Sequence, residues 1–224
     1  MRAYFLKYGW VGVQIFFVIS GFILPYSLHK TGYQTKDFGT FILKRIIRIY
    51  PAYITAIIIG LALAFITGRE LISPIAIASH LLFLNDIIGL PNGSAVFWTL
   101  AIEFQFYLLI GLLYSRFLTS NIRSLSAVFC LTFSSFWLNQ PCYVLTWLPF
   151  FGLGITIFNY KYTSMPGWMF WSATCVLLMT ILVMHGIPQV FATLFAVVFI
   201  LYGKYDKEIQ IRKPLIFLGS ISYL

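Results

Sequence analysis

Seven apolar runs, most of them long enough to cross a bilayer, limit what this chain can fold into. They occupy residues 10–28, 49–67, 96–115, 124–138, 142–160, 167–184 and 188–203, and an eighth begins at Pro214 and is cut off at Leu224. A helix needs roughly 17 to 25 predominantly apolar residues to cross the hydrocarbon layer. The fourth and seventh runs are short by that measure, so their ends are soft by a few residues. Only 9% of the chain is charged and 60% is apolar, whereas soluble domains carry about 25% charged residues. The predicted fold class is all-α: a polytopic transmembrane helix bundle with seven full spans plus the start of an eighth, read as one domain over residues 1–224.

A formal charge of +9 raises the question of nucleic acid, but the basic residues sit between the spans and form no soluble face. Grouping alternate connections places Lys30, Lys36, Lys44, Arg45, Arg48, Arg116, Arg123, Lys161, Lys204, Lys207, Arg212 and Lys213 on one side. Those are twelve of the fifteen Lys and Arg residues, and by the positive-inside rule that side is cytoplasmic. The expected setting is a bacterial plasma membrane crossed several times, with the lipid bilayer as a partner and no nucleic acid. The same alternation puts Arg2 and Lys7 outside, an awkward segment to translocate without an upstream helix. The chain is therefore expected to lack a natural first span, and its stop at Ser220-Ile221-Ser222-Tyr223-Leu224 points to incompleteness at the other end. Cys130, Cys142 and Cys175 are dispersed, without paired spacing for a disulfide or a metal. Packing is their expected role, and no metal site is expected.

Glu103 is the only charged residue inside any of the long apolar runs. A carboxylate in the hydrocarbon layer costs on the order of 3 kcal/mol or more, so it normally faces a polar cavity or a partner inside the bundle. At helical spacing Thr99, Glu103, Tyr107 and Tyr114 fall within roughly 80° of one another, giving this greasy helix one polar face. A carboxyl held away from water can be poised for proton transfer, so Glu103 is a candidate acid or base as well as a candidate structural group. Trp98 sits where an aromatic belt residue would.

Residues 37–49 read as a short amphipathic helix lying along the inner surface, with Ile42, Leu43, Ile46 and Ile47 apolar and Lys44, Arg45 and Arg48 basic. A positive-inside anchor accounts for it. The sharper account is that Arg45 and Arg48, three apart on one helical face, clamp phosphate groups bidentately, as a coenzyme A thioester would require. Pro51 then falls in the first turn of the second span, where a proline is tolerated. In the first span Gly12, Ser20 and Gly21 permit close helix packing. The long connection over residues 68–95 is itself partly apolar and is expected to be re-entrant or interfacial. Its polar candidates are His80, Asn85 and Asp86, with the histidine read first as a hydrogen-bonded interface residue. Pro149, Gly152 and Gly154 are expected to bend the fifth span or, in a transporter, to interrupt it at a site.

Three stretches together resemble the membrane-bound acyltransferase 3 family of cell-envelope O-acyltransferases: Phe16-Phe17-Val18-Ile19-Ser20-Gly21-Phe22-Ile23, Arg45-Ile46-Ile47-Arg48-Ile49-Tyr50-Pro51, and Trp98-Thr99-Leu100-Ala101-Ile102-Glu103-Phe104-Gln105-Phe106-Tyr107-Leu108. Pro149-Phe150-Phe151-Gly152-Leu153-Gly154 and Leu218-Gly219-Ser220-Ile221-Ser222-Tyr223 look like the family as well. The resemblance implies a bundle of about ten helices that moves an acyl group, expected to be acetyl, from cytoplasmic acyl-CoA to a hydroxyl of a sugar, glycan or lipid-linked acceptor. It implies no bound cofactor, acyl-CoA being the donor substrate. Arg45 and Arg48 match the family's donor-handling arginines, and Glu103 with Trp98 and Tyr107 matches its tryptophan-to-tyrosine motif. Glu103 and Tyr107 are then the catalytic candidates, with Ser20, Gly21 and Trp98 as motif residues. The family's essential histidine, on a helix before the Phe-Phe-Val-Ile-Ser-Gly stretch, has no counterpart here.

The expected function is membrane O-acyl transfer. A proton-coupled transporter or flippase built on Glu103 and the Pro149 break stands as an alternative, and an inactive remnant of the acyltransferase fold is another.

Overall fold

A single helix of 30 residues, Phe38–Thr67, replaces the expected surface helix and second span. Pro51 lies inside it and starts no new helix. A proline forfeits one ladder bond and crowds the preceding turn, but a full break would strand several N–H and C=O groups in apolar surroundings, which is costlier. Gly68 ends the helix in the left-handed region, φ 66°, its N–H reaching the carbonyls of Ala64 and Phe65.

The computed structural model describes residues 11–68, 73–84, 88, 97–137 and 143–203. In order they form α1 (Val11–Lys30), a 3-10 turn (Thr35–Asp37), α2 (Phe38–Thr67), α3 (Pro74–Leu81), α4 (Phe97–Leu113) running into a π-helical turn (Tyr114–Leu118), α5 (Asn121–Ser134), α6 (Val144–Tyr162), α7 (Gly167–His185) and α8 (Ile187–Tyr202). A helix stands at each of the seven expected positions, with ends moved by up to about one turn apart from the extended α2. Among the described residues four stretches are long and apolar enough to cross a membrane, Gly12–Lys30, Thr35–Thr67, Phe97–Leu118 and Gly167–His185, and Ile187–Tyr202 is apolar but shorter. The start of an eighth span at Pro214 lies outside the described residues, as does Cys142.

The chain divides into two compact units, Met1–Thr35 with Leu112–Gly203, and Lys36–Gly111 with Lys204–Leu224. The first is organised around α6, whose side chains from 148 to 159 are all buried. It packs against α1, α5 and α7, and α8 lies against α1 and α7. Glycines decide the tightest crossing. A Cβ at Gly21 would fall onto the backbone of Phe151, and one at Gly154 onto the Val18 carbonyl and the Gly21–Phe22 backbone, so small residues let α1 and α6 meet backbone to backbone. Phe17 stacks on Phe151 at 4.7 Å beside that crossing. Consequently α6 runs unbroken through Pro149, Gly152 and Gly154, and its glycines serve packing. Cys130 and Cys175, expected to pack, are exposed on the surfaces of α5 and α7.

The second unit contains α2, α3 and α4. Phe41, Ile49, Tyr53 and Ile57 form a buried stripe along α2, and half-buried Arg45 lies in the same row. Ser73 caps α3 by accepting from the Ala76 N–H at 3.3 Å, with Pro74 in the first turn.

Candidate functional site

Four residues separate Glu103 from Tyr107 on α4, which places their side chains on one face a turn apart. Both are buried, at 7% and 3% exposure, and the Tyr107 hydroxyl donates to the Glu103 carboxyl. The polar face expected on this helix is thus real at its centre, and the partner of the carboxyl comes from its own helix.

Arg45 reaches this pair from α2. Its guanidinium lies 5.4 Å from the centroid of the Tyr107 ring and 5.4 Å from that of Phe41, a double cation–π arrangement between residues of two helices. Gly111 makes room for it. A Cβ there would meet the Phe38 ring at 2.9 Å and the Phe41 ring at 3.0 Å, so the glycine allows Phe41 to lie against α4 while flanking Arg45. The result is a continuous line from Arg45 through Tyr107 to Glu103. Arg48, one turn further along α2, is exposed. The expected pair is therefore differentiated: Arg45 is held inward by aromatic faces and Arg48 presents its fork outward. A guanidinium carries its N–H donors in a planar fork whose shape matches an oxyanion or a phosphate, and the Tyr107 phenol donates to the carboxyl.

A second polar cluster was not assembled by sequence reasoning. The Tyr53 hydroxyl lies 3.3 Å from Nδ1 of His80, both side chains being 1% exposed, and the Tyr50 hydroxyl donates to the Leu81 carbonyl. Phe97 flanks the imidazole edge-on at 5.0 Å. The expectation that His80 is a hydrogen-bonded residue holds. Its partner could not be named, because 27 residues separate the two.

The other expected residues fall elsewhere. Trp98 and Thr99 are half-buried on α4. Tyr114 sits in the π-helical turn against Tyr33, edge-on at 6.0 Å, in the first unit. Gly21 supports the α1–α6 crossing, and Ser20 beside it is half-buried. His185 gives Nε2 to the Thr146 carbonyl at 3.0 Å between Trp147 and Phe150, which ties α7 to α6. Asn85 and Asp86 lie outside the described residues. Among the described residues no group of three or more His, Cys, Asp or Glu is placed to hold a metal. Phe41 and Gly111 were missed, although the four-residue spacing of Phe41 from Arg45 is a signal that could have found the former.

Comparison with known proteins gives a consistent picture. A family model described as an acyltransferase domain matches residues 9–224. The O-acetyltransferase OatA of Staphylococcus aureus is 33% identical over 141 residues, 54% of this chain and 23% of that protein. A protein of the Acidianus two-tailed virus, provisionally named acetyltransferase ORF330, is 30% identical over 128 residues, 57% of this chain and 37% of its own. A Bacillus subtilis protein with the provisional name peptidoglycan O-acetyltransferase YrhL is 33% identical over 118 residues, 45% of this chain and 18% of its own. The matched stretches thus span between 18% and 37% of the length of these relatives. No solved structure matches the chain.

Proposed function

The chain belongs to the acyltransferase 3 family, and from that premise we propose that it forms the transfer domain of a membrane O-acyltransferase. The acyl group, acetyl by analogy with the names of its relatives, passes from cytoplasmic acyl-CoA to a hydroxyl of a glycan or lipid-linked acceptor of the cell envelope. The protein is a multi-pass membrane protein. The finer assignment to a bacterial inner membrane, with seven spans and both compact units in one domain, is part of the same proposal.

The observation that carries the reading is the line Arg45–Tyr107–Glu103. Acyl transfer from a thioester needs a cationic site for the donor's phosphates and a proton-handling group near the carbonyl. Exposed Arg48 receives phosphate from the aqueous side and Arg45 carries the positive charge inward. Tyr107 orients the Glu103 carboxyl, which assists the base that activates the acceptor hydroxyl. The transporter alternative loses one of its two supports, since α6 is unbroken where a site would interrupt it.

The test is label transfer from acetyl-CoA into the membrane glycan fraction by the natural full-length protein, together with acetyl-CoA titration of purified variants. Arg45→Ala with Arg48→Ala is expected to weaken acetyl-CoA binding at least ~10-fold with folding intact, the loss of two charge-assisted contacts at more than 1 kcal/mol in total. Unchanged affinity would remove the arginines from the donor site. A folded wild type that transfers no label would turn the assignment toward transport or an inactive remnant.

A further inference from the structure

From Tyr50 to Thr67, α2 rises about 25 Å at ~1.5 Å per residue. The chain leaves that far end at Gly68, yet by Leu81 it is back beside Tyr50, whose hydroxyl donates to the Leu81 carbonyl. One turn along α2, Tyr53 meets His80 at 3.3 Å. The segment ending in α3 has therefore returned along most of the apolar half of α2, as a re-entrant segment does. Aromatic rings fasten it on the other side too. Phe97 of α4 lies 5.1 Å from Tyr53 and 5.0 Å from His80, and Phe83 stacks on Phe104, the neighbour of Glu103, at 4.7 Å.

The return places a second polar station on the line already described. Along α2, Tyr53 stands about 12 Å beyond Arg45, and along α4, Phe97 stands about 9 Å before Glu103. The two stations differ in chemistry. The first is cationic and suits phosphate. The second is a phenol hydrogen-bonded to an imidazole, both fully buried, and a pair of this uncharged, polar kind suits a neutral hydroxyl better than a phosphate. Fastening α3 to α2 alone would be met at lower cost by apolar side chains, because polar groups withdrawn from water are expensive even when paired.

We propose that Tyr53 and His80 are positioning residues for the acyl acceptor, carried to the transfer site by the returning segment over residues 73–84. The inference rests on the acyltransferase reading. On it, the donor enters past Arg48 and Arg45, and the acceptor hydroxyl is aligned from the opposite end, between the Tyr53–His80 pair and the Glu103 carboxyl.

The experiment uses the natural full-length protein in membrane vesicles and measures label from acetyl-CoA entering the glycan fraction over a range of acetyl-CoA concentrations. Tyr53→Phe and His80→Ala are expected to lower the maximal transfer rate at least tenfold while the KM for acetyl-CoA stays within twofold. His80→Asn, whose amide can stand where Nδ1 stands, is expected to recover most of the rate. The double variant should be no slower than the slower single one, since the two residues act as a pair. Should His80→Ala fail to fold, Tyr53→Phe and His80→Asn carry the test. Undiminished transfer in Tyr53→Phe, or acetyl-CoA KM moving in parallel with the rate, overturns the positioning role and leaves the transferase reading standing. A wild type that labels no glycan overturns both.

Discussion

At Glu103 one buried carboxyl is held by one phenol of its own helix, and the chemistry proposed here turns on that bond. Glu103→Gln keeps the shape and an acceptor oxygen for Tyr107 but removes the ionisable group. Transfer is expected to fall ~100-fold or more, the usual effect of losing a positioned acid or base, with thermal stability in detergent little changed. Tyr107→Phe should do the reverse in part: it leaves the carboxyl without this donor, costing about 1–3 kcal/mol of stability, and it is read by a thermal melt alongside the transfer assay. Arg45→Lys retains the charge but not the flat guanidinium between Phe41 and Tyr107, so acetyl-CoA affinity should drop severalfold although the substitution is formally conservative. Glu103, Tyr107 and the two arginines were legible beforehand, because a charge in an apolar run and a four-residue spacing are both visible in one dimension. Phe41 and Gly111 were not, since an aromatic or a glycine among so many carries no contrast.

Helices meet here on two different terms. The α1–α6 crossing is made by glycines with no space above them, whereas α2 and α4 touch through Arg45, Tyr107, Tyr53 and Phe97. Gly154→Ala and Gly21→Ala are therefore expected to destabilise by about 1–3 kcal/mol or more, because the obstacle is backbone and cannot rotate away. Gly60→Ala on α2, where nothing lies within 4 Å, should be neutral or stabilising by up to ~1 kcal/mol. Thermal unfolding of the three variants in one detergent separates the cases. Equal melting temperatures would mean that α1 and α6 do not cross as described. The new helix expected at Pro51 and the interruption that a transporter would place at Pro149 are absent for a shared reason. Proline removes one bond from a ladder, and in an apolar medium ending the ladder costs more than continuing it.

Across the whole molecule, the exposed surface of α7 is largely apolar and carries Cys175, and Cys130 is exposed on α5 between Ile122 and Phe133. In membranes these thiols should resist a charged, water-borne maleimide, because a charged reagent does not enter the hydrocarbon layer, yet both should label after denaturation in detergent. Mass spectrometry of the labelled peptides resolves each site, and labelling of Cys175 in intact vesicles would remove α7 from the membrane. The all-helical, membrane-spanning character could be read from the chain alone, because run length and the placement of Lys and Arg are local quantities that no packing alters. So could the family, whose motifs are contiguous. What faces what could not be read. A helix that is apolar on every side has no direction written into its periodicity, so rotation and depth are set by shape: the glycines of α1 and α6, Gly111 under Phe41, and the tyrosines that receive the returning segment. Only the tertiary structure could lay Arg45 on Tyr107 and bring His80 to Tyr53, because those contacts join helices whose mutual orientation is decided by packing.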